Sequence, residues 1–222
     1  MPPAHDPSSR LDYLFVITYG RSGSTLLQGI LNSIPGYVIR GENAGYLNGL
    51  YAAHKRAIHH KRHKFPVANR GTRAAWFGID GYDISLAEER FRELVRDALL
   101  RPPADTRVTG FKEVRYTDED VKEFVEFMTR VFPGARFVVN TRDLDQVAKS
   151  KWWAKDSGAR KELEEVQERL LELADELAPR SYRVHYNDYV EDPASLRGLF
   201  EWLGEDFDEA SIKAVLAEKH SY

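Results

Sequence analysis

The sequence predicts an α/β fold in three layers, with a central parallel sheet between two layers of helices. The chain has 222 residues, 42% of them hydrophobic, which is enough for one domain with a substantial core. Short apolar runs rich in β-branched and aromatic residues alternate with segments of helical periodicity. This alternation is typical of a parallel sheet whose two faces are covered by helices.

Five segments have the composition of buried strands. The first is the apolar run LDYLFVITY, which ends at Gly20, and a later one is ARFVVNT, which follows Pro133 and Gly134. The strands are predicted at residues 11–19, 37–40, 107–116, 135–141 and 182–186.

The segments between the strands show helical spacing. In the first of them, apolar residues recur from Leu26 to Ile34, and Pro35 with Gly36 ends the helix. A stripe of leucine and valine from Leu163 to Leu177 indicates a packed helix side, with a dimer helix or a substrate lid as the alternatives. Helices are predicted at residues 24–34, 44–57, 86–100, 118–132, 144–153, 160–177 and 195–203, and residues 59–83 are predicted to be irregular.

Composition excludes several classes of function. With 32 basic and 35 acidic residues, the net charge is −3, which argues against a protein dedicated to nucleic acid or to an anionic membrane surface. The absence of cysteine excludes disulfides, a thiolate nucleophile and cysteine-ligated metals. Residues 1–10 lack the character of a signal peptide, and no run approaches the roughly 20 apolar residues of a membrane span. We therefore expect a cytoplasmic protein with a single domain over residues 1–222.

Positive charge is concentrated in one part of the chain. No acidic residue lies between Glu42 and Asp80. The basic segment, residues 55–73, carries Lys55, Arg56, Lys61, Arg62, Lys64, Arg70 and Arg73. It either attracts a polyanionic ligand or is a solvated surface. The neighbouring histidines, which have no carboxylate nearby, are not expected to bind a metal; they are His54, His59, His60 and His63.

The junction between the first strand and the first helix has the features of an anion site. Its glycines allow a sharp turn that points consecutive N–H groups inward, and the helix amino terminus adds partial positive charge. A guanidinium group matches phosphate or sulfate oxygens. The phosphate loop consists of Gly20, Arg21, Ser22, Gly23, Ser24 and Thr25. It lacks the lysine of the G-x-x-x-x-G-K-[ST] loop, and the alternative is a plain turn capped by Ser22 or Ser24.

A second junction follows the strand ARFVVNT. Arg142 stands at the carboxyl end of this strand, and Ser150 follows eight residues later. Carboxyl ends of parallel strands meet helix amino ends at one edge of a sheet, where ligands bind, so both side chains could contact one anion. The alternative for Arg142 is a local ion pair with Asp143.

Together the two junctions resemble the sulfotransferase family. Its first motif, [KR]-S-G-[ST]-[ST] after a strand, matches residues 21–25, and its second matches Arg142 and Ser150. The late stretches YNDYVEDP and FEWLG resemble the family's Y-[ED]-D-L-x-x-[DE]-P and F-L-G, so the resemblance spans about residues 13–220.

This resemblance implies a P-loop nucleotide-hydrolase-like fold and a donor, 3′-phosphoadenosine 5′-phosphosulfate, without a metal. It implies that residues 21–25 hold the 5′-phosphosulfate and that Arg142 and Ser150 hold the 3′-phosphate. Sulfuryl transfer is an in-line displacement that needs positive charge on the leaving phosphate, where Arg21 is expected, and a base for the acceptor hydroxyl.

Three residues are candidates for the acceptor side of the reaction. Glu42 follows the strand 37–40 and is our first choice as the base, although it could simply pair with Arg40 or a lysine. Tyrosylprotein sulfotransferases have G-E-E here, and this chain has Asn43 at the second glutamate. By resemblance Lys112 contacts the sulfuryl oxygens. Glu113 is the alternative base or orients Lys112, but alternation along a strand makes it improbable that both enter one pocket.

The acceptor itself is not specified by these residues. We expect a hydroxyl group on a carbohydrate, lipid or other small molecule, bound by residues 44–85 and by the tail 219–222. Trp152 and Trp153 either flank a ligand or belong to the core. The competing functions are a small-molecule kinase and a non-catalytic nucleotide-binding module, and a homodimer is compatible with either.

Overall fold

The computed structural model describes residues 11–68, 70–118, 120–150, 153–155 and 158–218. Some expectations from the sequence concern residues outside these ranges, namely residues 1–10, Trp152 and the tail 219–222. The strands are β1 (Asp12–Ile17), β2 (Tyr37–Arg40), β3 (Val108–Glu113), β4 (Arg136–Thr141) and β5 (Ser181–His185). They form one parallel sheet in the order β2-β3-β1-β4-β5.

Helices connect the strands along the described chain. They are α1 (Ser24–Asn32), α2 (Tyr46–Ala68), α3 (Ile84–Leu94), α4 (Val121–Val131), α5 (Leu144–Ala148), α6 (Ala159–Glu176), α7 (Tyr186–Glu191), α8 (Arg197–Leu203) and α9 (Glu209–Ala217). Short 3₁₀ turns occur at Ile79–Gly81, Trp153–Lys155 and Pro193–Leu196, and a π-helical stretch, Val95–Leu100, continues α3.

Two hydrophobic clusters cover the two faces of the sheet, which confirms the three-layer class. Side chains alternate along β1, so that Phe15 belongs to one cluster and Val16 to the other. The first cluster includes residues of α4 and α6, and the second includes residues of α1, α8 and α9. The predicted stripe on α6 is buried in the first cluster, as Leu163 and Leu170 show. It therefore packs the chain's own core.

The strand order determines where a ligand can bind. β1 lies in the centre, with β3 and β2 on one side and β4 and β5 on the other. The connection after β1 leads to β2 at one edge of the sheet, and the connection after β4 leads to β5 at the opposite edge. Ligands of open parallel sheets bind at the carboxyl ends of the strands at such a switch point. The loops after β1 and β4, which carry the two predicted anion motifs, lie there.

The prediction that residues 59–83 are irregular is wrong for its first part. Helix α2 continues to Ala68, two residues beyond Pro66. The following segment folds back onto this helix, because Lys61 Nζ donates to the Tyr82 carbonyl over 2.7 Å and the His60 ring stacks on Trp76. These long-range contacts stabilise the extra turns of α2.

Other boundaries also differ from the sequence-based expectation. The strand expected at 107–116 ends at Glu113, and the helix expected at 144–153 ends at Ala148. Helices α7 and α9 were not expected; α9 begins after Asp208, which accepts the N–H of Ser211 at its amino end. No helix in the described ranges combines the length and apolarity needed to cross a membrane.

Candidate functional site

The phosphate loop forms an open cradle at the amino end of α1. Arg21 and Gly23 have φ angles of 70° and 81°, in the left-handed region. Gly23, rather than Ser22 or Ser24, occupies the N-cap position of α1, and it has no side chain with which to cap the helix. The N–H of Leu26 donates to the Gly23 carbonyl over 3.0 Å, so the N–H groups of Ser24 and Thr25, at the very start of the helix, are the ones available to an anion.

Buried polar side chains hold this loop in place. They belong to Thr18, directly after β1, to Asn140 on β4 and to Tyr189 on α7. Thr18 Oγ1 lies 2.6 Å from Ser22 Oγ, and Asn140 Nδ2 donates to the Ser22 carbonyl over 3.0 Å. Tyr189 Oη donates in turn to Asn140 Oδ1 over 3.1 Å. Burial raises the pKa of Tyr189, which keeps its hydroxyl neutral and able to donate. One signal of this network is visible in the sequence, a lone asparagine inside the apolar run ARFVVNT.

The structure brings the two predicted anion motifs into direct contact. Arg21 Nε donates to Ser150 Oγ over 3.0 Å, and Arg142 Nη1 donates to the Arg21 carbonyl over 3.3 Å. Arg142 also contacts Gln146 Oε1, with its Nη2 at 3.0 Å. The Arg142 guanidinium thus contacts the side chain of Gln146 and not that of Asp143, whose Oδ1 accepts the N–H of Gln146 at the start of α5.

Tyr19 holds the backbone of Arg142 in place. The Tyr19 hydroxyl accepts the N–H of Arg142 over 2.9 Å and donates to Gln167 Oε1 over 2.7 Å. Burial raises the pKa of Tyr19 to about 12, so the phenol remains neutral near pH 7. The last residue of the first apolar run thus supports the second motif.

Sequence reasoning assigned no role to Tyr186, which the structure places at the centre of the site. The Arg142 guanidinium lies over the Tyr186 ring, 4.2 Å from its centroid, a cation–π geometry. The same ring packs on Gly23 so closely that a Cβ there would lie 2.0 Å from Tyr186 Cδ2. The signals in the sequence are its position at the end of the predicted strand 182–186 and its place as the first residue of the stretch YNDYVEDP.

Glu42 and Lys112 form an ion pair on the other side of the phosphate loop. Lys112 Nζ lies 2.6 Å from Glu42 Oε1; the lysine side chain is buried and that of Glu42 is 50% exposed. Of the two pairings expected as alternatives for Glu42, the one with Arg40 does not form, since Arg40 donates to the carbonyls of Leu100 and Arg101. The pairing with a lysine does form, and both partners face the site.

Glu113 points away from Lys112, as alternation on β3 predicts. It is 1% exposed, and its Oε2 accepts the N–H groups of Asn43 and Gly45 over 3.1 and 3.0 Å. Its Oε1 accepts the N–H of Val114 over 2.8 Å. Glu113 therefore fixes the loop that follows Glu42. Asn43 Oδ1 caps α2 at the N–H of Tyr46, and its Nδ2 is a buried donor without a partner among the described residues.

These groups line one cleft of about 550 Å³. The sequence-predicted residues on its walls are Gly20, Arg21, Gly23, Ser24, Thr25, Glu42, Lys112 and Arg142. Ser22 is buried beneath the loop, and Ser150 is connected to the cleft through Arg21. The cleft thus combines a helix amino terminus and two arginines with a lysine–glutamate pair. Such a site can bind an anion with two charged groups next to a carboxylate.

The histidines near the basic segment lie elsewhere. His54 Nδ1 lies 2.7 Å from the Tyr82 hydroxyl, and the rings of His59 and His63 are 4.3 Å apart. Within the part of the chain that the structure describes, no group of three metal-binding side chains is found. Trp153 is half-buried against the core, and its Nε1 donates to the Gly20 carbonyl over 3.3 Å.

Comparison with known proteins gives the following matches. Residues 13–209 match the model of the sulfotransferase family. No curated protein matches the chain significantly. The fold is similar to the sulfotransferase domain of the Synechococcus PCC 7002 olefin synthase, with 20% identity, a TM-score of 0.59, and coverage of 97% of this chain and 82% of that one.

Two further solved structures are similar. The sulfotransferase domain from the curacin biosynthetic pathway has 16% identity and a TM-score of 0.58, and the match covers 96% of this chain and 80% of that one. A sulfotransferase from Alicyclobacillus acidocaldarius has 13% identity and a TM-score of 0.50, with coverage of 95% and 97%. At these identities the likeness to the solved structures establishes a common fold.

Proposed function

The chain belongs to the sulfotransferase family, whose model covers residues 13–209, and we propose that it transfers a sulfuryl group from 3′-phosphoadenosine 5′-phosphosulfate to the hydroxyl group of a small-molecule, lipid or carbohydrate acceptor. The observation that carries this proposal is the contact between the two anion motifs, in which Arg21 donates to Ser150 beside Arg142. A donor with phosphates at both the 5′ and the 3′ position requires two adjacent anion sites.

The residues present fit such a donor. The uncapped amino end of α1, with Arg21 and the hydroxyls of Ser24 and Thr25, is suited to the 5′-phosphosulfate. Arg142 and Ser150 are suited to the 3′-phosphate. Gly20, Ser22 and Gly23 give the loop its shape, and Tyr186 keeps the Arg142 guanidinium over the cleft.

On the acceptor side, we assign the base to Glu42. Lys112 occupies its Oε1, which leaves Oε2 for the proton of the acceptor hydroxyl. In the transfer, the acceptor oxygen forms a bond to sulfur while the bond between sulfur and the phosphate oxygen breaks. The hydroxyl proton goes to Glu42, and the bond electrons leave with 3′,5′-adenosine bisphosphate. Lys112 and Arg21 supply positive charge to the sulfuryl group and the leaving phosphate, so the proposal requires no metal.

Glu113 is not the base in this proposal, because its buried carboxylate accepts the backbone N–H groups of residues 43, 45 and 114 and lies 3.9 Å from Arg115 Nε. We further propose that the chain is one catalytic domain and that residues 44–85, which include α2, form its acceptor side.

Transfer of labelled sulfate to a panel of sugars, phenols and fatty alcohols tests this function. We expect transfer by the wild type and a loss of at least about 100-fold in Glu42→Gln, the range for removal of a general base. Glu162→Gln, which changes an exposed glutamate on α6, is the matched control and should remain active. Full activity of Glu42→Gln would remove the base assignment. Donor binding without transfer to any acceptor would indicate the non-catalytic binding module.

A further inference from the structure

The end of α2 and the loop that returns from it form a positively charged surface, which we call the tip and define as residues 61–68 and 70–77. We propose that the tip binds the surface of an anionic lipid membrane, with two exposed phenylalanine rings entering the interface. This inference is independent of the proposed reaction, because none of these described residues lines the donor cleft.

The tip is ordered, although it adds nothing to the core of the domain. Over the described part of the chain, the two core clusters contain no residue from 52 to 90. The tip is held by its own contacts: the ring of His60 stacks on Trp76 with centroids 4.7 Å apart, and Lys64 Nζ lies 5.8 Å from the centroid of the same indole. These contacts join the end of α2 to the returning loop.

Two large apolar side chains of the tip face solvent. Phe65 is 51% exposed and Phe77 is 57% exposed, the highest values among the large hydrophobic side chains that the structure describes. They are the sequence neighbours of Lys64 and Trp76, which contact each other, so both phenylalanines belong to the same end of the molecule. Exposed aromatic rings among basic residues are the composition of segments that lie in a membrane interface.

The charged residues of the tip are all basic. They are Lys61, Arg62, Lys64, Arg70 and Arg73. Since the whole chain has 32 basic and 35 acidic residues, its net charge of −3 averages over a positive tip and an acidic remainder. Lys61 donates to a backbone carbonyl, that of Tyr82. The other four basic residues of the tip make no ion pair with any described residue.

Carboxylates on neighbouring elements do not compensate this charge. Asp80 and Asp83 follow the tip in the chain, and Asp83 accepts a backbone N–H at the start of α3. The carboxylates that contact α2 lie before the tip and have other cations, namely Glu88 at His54 and Arg130, and Asp120 and Glu123 at Lys55. Five basic residues therefore exceed two nearby carboxylates, and the excess is complementary to anionic headgroups.

The combination of charge and apolar rings favours a lipid surface over other partners. Each lysine or arginine close to an anionic bilayer strengthens binding by about fivefold, and aromatic side chains enter the interfacial layer. A soluble polyanion would engage the basic residues and leave both phenylalanines in water. A second copy of the chain, docked tip to tip, would bring two positive surfaces together.

Flotation of the full chain with lipid vesicles tests the proposal. The vesicles contain phosphatidylcholine alone or with about one-third phosphatidylserine, and we expect at least about tenfold stronger binding to the anionic ones, decreasing with added salt. A variant with Arg62→Gln, Lys64→Gln, Arg70→Gln and Arg73→Gln should bind both kinds of vesicle equally weakly. The matched control changes four exposed cations elsewhere and should bind like the wild type; it carries Arg90→Gln, Arg101→Gln, Lys161→Gln and Arg180→Gln.

The phenylalanines distinguish a membrane from other anionic partners. Phe65→Ser combined with Phe77→Ser should weaken binding to anionic vesicles by about tenfold or more, whereas Leu94→Ser combined with Val190→Ser, at exposed apolar positions outside the tip, should not. Thermal unfolding without vesicles checks that each variant is folded. Phe77→Trp gives an independent signal, because brominated lipid in anionic vesicles should quench its added fluorescence, and Val190→Trp should show no added quenching.

Several results would overturn the proposal. They are equal binding of the wild type to neutral and anionic vesicles, retained binding by the variant with four glutamines, and absence of added quenching in Phe77→Trp. Binding to heparin without binding to vesicles would assign the tip to a soluble polyanion instead. Self-association in analytical ultracentrifugation that the tip variants abolish, without vesicle binding, would assign it to a second copy.

Discussion

Arg21 Nε donates a hydrogen bond to Ser150 Oγ over 3.0 Å. These residues are far apart in the sequence: Arg21 belongs to the loop after β1, and Ser150 follows α5, the helix that comes after β4. Arg21, proposed to hold the 5′-phosphosulfate of the donor, is thereby positioned by Ser150, which is proposed to hold the 3′-phosphate. Binding at the two phosphate sites should consequently be coupled.

A double-mutant cycle measures this coupling. Arg21→Ala and Ser150→Ala should each weaken binding of 3′,5′-adenosine bisphosphate by about tenfold or more, since each removes a contact to a charged group. Because the two side chains are in contact, the double variant should lose less than the product of the single effects, by about 0.5–3 kcal/mol. Calorimetric titration of the four proteins provides the values. Strict additivity would show that the hydrogen bond has no role in donor binding.

Gly23 is expected to tolerate no side chain. Gly23→Ala puts a Cβ at 2.0 Å from the Tyr186 ring on a backbone with φ of 81°, so overpacking is added to backbone strain. We expect a loss of about 1–3 kcal/mol in the free energy of unfolding, together with weaker donor binding. Gly204→Ala is the matched control, because Gly204 has φ of 78° and open space around its Cβ. Urea denaturation should show the larger loss for Gly23→Ala; equal losses would contradict the packing role of Tyr186.

We expect Glu113 and Glu42 to differ in their effect on residues 43–45, the loop that directly follows Glu42. Glu113→Gln removes a carboxylate that accepts three N–H groups, so the amides of Asn43 and Gly45 should exchange their hydrogens faster, by about tenfold or more. Glu42→Gln should leave these two amides protected while it lowers catalysis. Hydrogen exchange followed by NMR separates the two variants. Unchanged protection in Glu113→Gln would refute its structural role.

We expect His54 to make the free energy of unfolding decrease at acidic pH. Burial lowers the pKa of His54, although Glu88 at 3.4 Å opposes this effect. The neutral imidazole is therefore favoured in the folded state. The stability that it contributes is present above the unfolded pKa of about 6.5 and is lost as the pH falls through the lowered folded pKa. Between about pH 7.5 and pH 5, the free energy of unfolding should fall more in the wild type than in His54→Gln. Parallel pH profiles from urea denaturation would contradict this prediction.

The parts of the site that the sequence predicted are those made by neighbouring residues. The cradle from Gly20 to Thr25 is a consecutive stretch whose glycines and helix start define its shape locally. The opposite orientations of Lys112 and Glu113 follow from strand alternation. Parallel strands also bring the ends of β1 and β4 together, although the motifs are distant in the chain.

The parts of the structure that the sequence did not predict depend on contacts between segments that are distant in the chain. Tyr186 acquires its place from packing on Gly23, and the extension of α2 to Ala68 depends on the return of Trp76 and Tyr82. In the sequence, Glu42 and Glu113 both lie within three residues of the end of a predicted strand. Only the observed hydrogen bonds of Glu113 to the backbone separate their roles.

The most direct test of the account is the affinity for 3′,5′-adenosine bisphosphate compared with adenosine 5′-monophosphate and with magnesium adenosine triphosphate. The account predicts that the bisphosphate binds at least about tenfold more tightly than either, because Arg142 and Ser150 are proposed to hold the 3′-phosphate. Arg142→Ala should remove most of this preference, and Arg62→Ala should preserve it. Equal affinity for the bisphosphate and the monophosphate, or tighter binding of the triphosphate, would contradict the account.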